Sequence, residues 1–418
     1  MHLAAIYIYA TLLIYAYTMA QGVVWTWYQR RRADREDDGS FRPPISILKP
    51  VKGVDESLEE NLESFLRLDY PTLQLVIGIA DEDDPAIEIA RRVQARHPDF
   101  DMVVHVGEEP IGRNPKVNVL HTIYPLATHD ILLISDSNVV ATDDYLRRTV
   151  VELRDPEVGL VSNPVVGVGE KTVAAAVENM LLSSFVACGN VGAAVVTPID
   201  ATIGKSMLFR REALDGVGGF RAMRNILAED GWMGAKFREQ GWDVRLSGQP
   251  VYNVNTTWSL RRTFDRHSRW AQIRSRLGMA FYPLDLPANI IWAATLFALF
   301  GQPGWQYFLP IAWVVKPLID FLTTWGMRGT PPPWQGLLAV PVKDLIMLAV
   351  FFVPFYRSDV NWRGNELRVI KGTRLIDPEA YRRAKAMARA GHAITAPSEG
   401  GRQKAEAEVS GPGVDAAA

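Results

Sequence analysis

The chain has 418 residues, with 45 Lys+Arg against 47 Asp+Glu and a formal net charge of −2, so no basic excess exists to neutralise the phosphates of a nucleic-acid partner. Its totals are ordinary, 48% apolar and 22% charged, but Leu3–Gln29 and Leu286–Val315 contain no Asp, Glu, Lys or Arg; about 20 such residues span a bilayer core as a helix, which excludes a fully soluble chain. The single cysteine, Cys188, excludes an internal disulfide framework and a multi-cysteine metal or iron–sulfur site.

In chain order, residues 1–29 read as a transmembrane anchor. No Lys or Arg precedes the apolar run, and Arg30-Arg31-Arg32 follows it, the reverse of a cleaved signal peptide. That order puts the C-terminal end of the anchor on the cytoplasmic side, with 30–42 as a basic juxtamembrane linker.

Residues 43–280 alternate short apolar runs with helix-length stretches. The runs are Ile45–Val51, Leu73–Ala80, Met102–Val106 and Ile131–Ser135; the helices are expected over Glu56–Leu68, Pro85–Arg96 and Pro115–Ala127. This alternation predicts βαβ units and an α/β domain whose parallel sheet is covered on both faces. Ligands in such sheets bind beyond the carboxyl ends of the strands. Two strands here run into acidic residues, one into Asp81-Glu82-Asp83-Asp84-Pro85 and one into Asp136-Ser137-Asn138. Asp84 before Pro85 also suits a simple helix cap. Facing one crevice, the two acidic ends would bind a hard cation and through it a diphosphate. No GxxxxGK[ST], GxGxxG or GxSxG occurs. The fragment Gly204-Lys205-Ser206 lacks the first P-loop glycine, since Ile199 stands there. The seven histidines form no HxH or HxxxH pair, so no histidine metal site is expected.

A membrane region is expected over 281–356, with helices at Leu286–Phe300 and Tyr307–Trp325 and a short third run, Leu345–Tyr356, of re-entrant or interfacial length. Lys316 and Asp320 are four apart and able to pair on one helix face. A basic segment follows at 357–390, and 391–418 has the composition of a disordered tail. The uncharged stretch Asn179–Ile199 reads as half-buried rather than spanning, because a crossing would separate Asp136 from Asp230.

Several segments together resemble the ceramide glucosyltransferase family. They are Pro44–Asp55 (PISILKPVKGVD), Asp81–Pro85, Asn114-Pro-Lys-Val-Asn118, Asp136-Ser137, Ala228-Glu-Asp230 and Arg266-His-Ser-Arg-Trp270. The family pattern is three separated aspartates followed by (Q/R)xxRW, and its parts occur here in order. The resemblance implies a GT-A fold, a Rossmann-like mixed sheet, in a cytoplasmic domain flanked by transmembrane helices in a multi-pass protein of a bacterial inner membrane. It implies an inverting transfer of a hexose from a UDP-sugar, UDP-glucose favoured, onto a membrane lipid such as ceramide; diacylglycerol and a hopanoid are the alternative acceptors. By the same resemblance Asp230 is the base, Asp136 and Asn138 hold a divalent metal (Mg²⁺ or Mn²⁺), and Asp81, Asp84, Lys116, Arg266, Arg269 and Trp270 contact the donor. Asn138 departs from the DxD of many relatives, leaving one carboxylate at the metal position. Glu229-Asp230 opening a helix also suits mere dipole complementation, and the arginines of Arg261–Arg276 suit attraction to anionic headgroups. The rival readings are a processive polysaccharide synthase and a non-catalytic membrane scaffold.

Overall fold

The computed structural model describes residues 3–196, 202–280, 282–362 and 364–392. Seven strands form the central sheet: β1 (Ile45–Val51), β2 (Leu73–Ile79), β3 (Asp101–Val106), β4 (Ile131–Ser135), β5 (Val158–Ser162), β6 (Ser206–Arg210) and β7 (Asp243–Leu246). Their order is β3-β2-β1-β4-β6-β5-β7. The first four are parallel, as the alternation predicts. β6 enters antiparallel to both β4 and β5, so the sheet is mixed. Every residue of β1 is buried, the signature of a strand covered on both faces. One apolar cluster, with Leu62, Phe65 and Val93, packs on one side, and a second, with Leu120, Phe209 and Phe237, packs on the other.

The expected helices form at Leu58–Leu66, Ala86–Arg96 and Pro115–Ile123, each trimmed at its ends. Asn114 caps the third by accepting from Val117 N–H at 3.1 Å, and Pro115 starts it with its fixed φ.

The first helix runs from Leu3 to Glu36, so the expected linker begins inside it. The helix continues because its charges are used. Arg32 pairs with Glu152, Asp34 with Arg148 at 2.7 Å, and Arg30 donates to the carbonyls of Gly248 and Met327 at 3.0 and 2.8 Å. Leu286–Phe300 is not one helix. A 3₁₀ turn, Tyr282–Ala288, is followed by Ile290–Leu299, which alone is only about 15 Å long. The third run is longer than expected, a helix over Gln335–Tyr356 containing Pro341 and Pro354.

Among the described residues four helices are long and apolar enough to cross a membrane: Leu3–Glu36, Val173–Gly192, Trp305–Arg328 and Gln335–Tyr356. Two of them pack closely against other parts of the chain. Val173–Gly192 is 67% buried inside the protein; the strand before it, Val165–Val168, pairs with Val251–Val254, and the strand after it is β6. This matches the half-buried reading, although residues 197–199 of that stretch lie outside the described residues. Gln335–Tyr356 begins against Met180 at Gly336 and packs along Ala176, Val177 and Ala271. The chain then returns, with Arg276 donating to Ser358 Oγ at 2.7 Å and Leu227 N–H to Thr373 O at 2.8 Å. At 22 residues this helix exceeds the re-entrant or interfacial length expected of the third run. The basic segment is ordered into strands Asp359–Trp362, Asn365–Val369 and Leu375–Ile376 and a helix, Pro378–His392. The expected tail, apart from residues 391 and 392, lies outside the described residues.

Candidate active site

The site forms where β4 ends. Antiparallel pairing sets Ser135 opposite Ser206, so Asp136 and Lys205 face each other across the sheet, and Asp136 N–H donates to Lys205 O at 3.3 Å. The Lys205 ammonium then donates to Asp136 Oδ2 at 3.2 Å and to Asn138 Oδ1 at 2.8 Å. Lys49, near the end of β1, donates to Ser135 Oγ at 3.1 Å and Asp136 O at 2.9 Å, with its ammonium 3.9 Å from the centre of the Phe65 ring. Burial lowers both lysines against the pull of Asp136, Lys49 to about 7 and Lys205 to about 8.

Lys116 is the second residue of the Asn114-capped helix. Its ammonium meets Asp136 Oδ1 at 3.0 Å, Glu229 Oε1 at 2.9 Å and Gly204 O at 3.0 Å. Burial opposes its charge, but Asp136 and Glu229 outweigh burial and raise its pKa above the ordinary lysine range. Three acceptors use all three ammonium hydrogens. Lys116 thereby ties the end of β4 and the start of β6 to Glu229.

Asp230 lies in the first turn of the helix Glu229–Glu239. Its Oδ2 accepts from Gly204 N–H and its Oδ1 from Gly231 N–H, each at 2.8 Å. Burial, then the Glu229 charge, push its pKa up to about 6 against Lys116 and the two amides. A carboxylate that only complemented the helix dipole would be held down; burial and Glu229 push this one the other way.

The helix Leu260–Leu277, capped by Ser259 accepting from Arg262 N–H, carries the RxxRW residues. Arg266 donates to the buried Glu178 at 2.6 Å and lies 4.1 Å over the Trp258 ring. Its charge is among those that lower Lys205, so it faces the same cluster. Arg269 and Trp270 follow on the next turn, Trp270 edge-on to His267 at 5.1 Å. Asp81 and Asp84 stand apart. Asp84 accepts from Gly53 N–H at 2.7 Å and Ala86 N–H at 2.8 Å, so it starts a helix and pins the loop after β1. Asp81 is exposed and accepts from Asp83 N–H at 3.0 Å. Among the described residues neither shares a hydrogen bond or ion pair with Asp136 or Asp230.

Four residues of this site escape sequence reasoning: Lys49, Glu178, Lys205 and Glu229. Glu229 reads only as dipole complementation, and Lys205, after Gly204, reads as a broken P-loop until β6 is known to pair with β4.

The expected metal position can be tested on these contacts. Among the described residues no three His, Cys, Asp or Glu side chains converge as a metal group. Asp136 turns one oxygen to Lys116 and the other to Lys205, and Asn138 turns its oxygen to Lys205. One carboxylate facing two ammonium groups does not fit a divalent ion.

A family model described as glycosyl transferase family 21 matches residues 10–375. Over 369 residues the chain is 25% identical to ceramide glucosyltransferase 3 of Caenorhabditis elegans, covering 84% of this chain and 78% of that protein. It is 26% identical over 345 residues to a ceramide glucosyltransferase of Komagataella phaffii, covering 66% of this chain and 67% of that one. A solved mannosyltransferase from Pyrobaculum calidifontis, in complex with GDP-Man and Mn²⁺, aligns at 18% identity and a TM-score of 0.46 over 84% of this chain and 99% of its own.

Proposed function

This chain belongs to glycosyl transferase family 21, and on that premise we propose that it transfers a hexose, glucose first among the candidates, from a UDP-sugar to the hydroxyl of a membrane lipid such as ceramide. The observation that carries the reading is Asp230: a half-buried carboxylate pushed up to about 6, bonded to the Gly204 N–H beside Lys205, in a chain whose described residues include helices long and apolar enough to cross a membrane. The names of the relatives support ceramide and glucose as the first pair to try.

In the proposed reaction the acceptor hydroxyl oxygen attacks the anomeric carbon from the face opposite the nucleotide, inverting it. The hydroxyl proton passes to an Asp230 carboxylate oxygen as the C–O bond forms. The bond from the anomeric carbon to the diphosphate breaks, and its electron pair leaves with UDP. Negative charge on Asp230 also favours the oxocarbenium-like centre. Lys205, with Arg266 on the adjacent helix, meets the charge that grows on the leaving diphosphate. Glu178 and Trp258 hold Arg266 in place for that task.

Chain order supports proximity to lipid. The Arg266–Trp270 helix runs into the 3₁₀ turn and then into Ile290–Leu299. Arg30–Arg32 and Arg328 lie at the domain ends of their helices, which supports a cytoplasmic domain by the positive-inside rule.

The test is transfer by purified protein in detergent. UDP-glucose, UDP-galactose, UDP-N-acetylglucosamine and UDP-glucuronic acid are each paired with ceramide, diacylglycerol and a polyhydroxylated hopanoid, and lipid products are read by mass. One glycolipid of single addition is expected. The Asp230→Asn variant should bind UDP yet transfer nothing; equal transfer by that variant would sink the base assignment. A ladder of additions would mean a processive synthase, and UDP binding without any product would mean a scaffold.

A further inference from the structure

We propose that Lys205 supplies, at the donor diphosphate, the positive charge otherwise given by a divalent metal, so that this chain binds its donor and transfers without one. The proposal rests on the transferase reading above.

Three observations carry it. Lys205 Nζ stands at the point where the oxygens of Asp136 and Asn138 converge, 3.2 and 2.8 Å away, and these are the residues expected to ligate an ion. The strand start that presents it is fixed: Gly204 N–H is bound by Asp230, Asp136 N–H donates to Lys205 O, and Ser206 Oγ donates to Asn163 Oδ1 at 2.7 Å. Its ammonium also has capacity left. Lys116 spends three hydrogens on three acceptors and Lys49 is fully buried, whereas Lys205 has two acceptors among the described residues and a side chain 12% exposed. The third hydrogen is available for a diphosphate oxygen, and a lysine is a competent phosphate ligand as a point charge. A divalent ion sharing Asp136 Oδ2 with this ammonium would face a like charge at close range.

The same geometry gives the proposal a second consequence. Removing the lysine leaves one carboxylate oxygen and one amide oxygen converging on a vacated cation position. A hard ion held by one carboxylate and by substrate phosphate is an ordinary magnesium arrangement. Lys205→Ala should therefore turn a metal-independent protein into a metal-dependent one.

The experiment measures UDP binding calorimetrically with the full-length protein in detergent, in EDTA and then in Mn²⁺, alongside transfer under both conditions. The wild type is expected to give the same Kd and the same rate in both. Lys205→Ala should weaken UDP by about 10-fold or more in EDTA, the loss of one charge-assisted bond, and regain much of it with Mn²⁺. Lys205→Arg should stay metal-independent, and unchanged melting of both variants separates the effect from misfolding. Wild-type UDP binding that vanishes in EDTA and returns with Mn²⁺, with transfer intact, overturns this proposal alone. So does Lys205→Ala binding UDP as well as the wild type in EDTA. No UDP binding in either condition defeats the proposal and the UDP-donor reading together.

Discussion

Gly204 donates its backbone N–H to Asp230 Oδ2 at 2.8 Å, and a Cβ built on Gly204 would lie 2.9 Å from that same oxygen and 3.2 Å from Asp230 Cβ. The residue that orients the base thus has to be the one without a side chain. Gly204→Ala would push the carboxylate aside while leaving Lys205 in register on β6. The expected result is a kcat about 100-fold lower, the scale of an ångström-sized misplacement, with UDP affinity unchanged. Steady-state kinetics with UDP titration checks this; a variant of wild-type kcat would mean Asp230 is not held by this contact.

With Asp230 as the proposed base, its carboxyl pushed up to about 6 would fix the acid limb of the pH profile. Asp230 accepts a proton only when ionised, so activity should fall as pH drops through that value. The limb in kcat/KM reports the free enzyme. Glu229 is a raising cause second only to burial, so Glu229→Gln should move the limb to lower pH. A limb near 4 in the wild type, or one that Glu229→Gln leaves in place, would contradict the role given to burial and Glu229.

The fold and the site were legible in the sequence to different depths. β1 to β4 announce themselves, because buried parallel strands read as short apolar runs separated by helix-length stretches. Asp136 was legible as a strand-end carboxylate, and Asp230 only through resemblance. Lys205 was not, because its meaning depends on β6 inserting antiparallel beside β4, a pairing of residues 206–210 with 131–135 that leaves no periodic trace. Lys116 was found, but its acceptor set of Asp136, Gly204 and Glu229 comes together only in three dimensions. Asp84 took the plainer of its two readings, a helix start. The linker after the first helix was misread for a related reason. Its arginines and aspartates look solvated in isolation and are consumed by Glu152 and Arg148 in the fold.

Arg266 depends on Glu178, a fully buried carboxylate that also contacts His267 Nε2 at 3.3 Å. Glu178→Ala would leave the guanidinium without its partner in a poorly solvated place. Breaking a buried pair from one side costs about 3–5 kcal/mol, so a clear drop in melting temperature is expected. Kinetically, Arg266 would lose its orientation towards the leaving diphosphate, and kcat should fall more than the acceptor KM rises. Glu178→Gln, which keeps a hydrogen-bond acceptor of the same shape, should recover part of both. Wild-type melting and turnover in Glu178→Ala would show that Arg266 is held by Trp258 and its own helix alone.

Among the membrane-facing helices the sharpest test concerns charge. Lys316 meets Asp320 at 2.6 Å and Asp344 at 3.4 Å, while Lys343 meets Asp320 at 2.7 Å and Asp344 at 3.1 Å. Tyr15 on the first helix donates to Asp320 at 2.6 Å. Two cations and two anions, all buried, thereby join three helices without net charge. Ionisable groups in such surroundings persist only when paired. Lys343→Met alone leaves two carboxylates competing for Lys316 and should cost about 3–5 kcal/mol. Combining it with Asp344→Asn removes one charge of each sign, keeps Lys316 with Asp320, and should restore most of the loss. Thermal unfolding in detergent of the two single variants and the double decides the matter. Losses that simply add in the double variant would mean the four groups do not act as one cluster, and the helix Gln335–Tyr356 would then owe its position to apolar packing against Ala176, Val177 and Ala271.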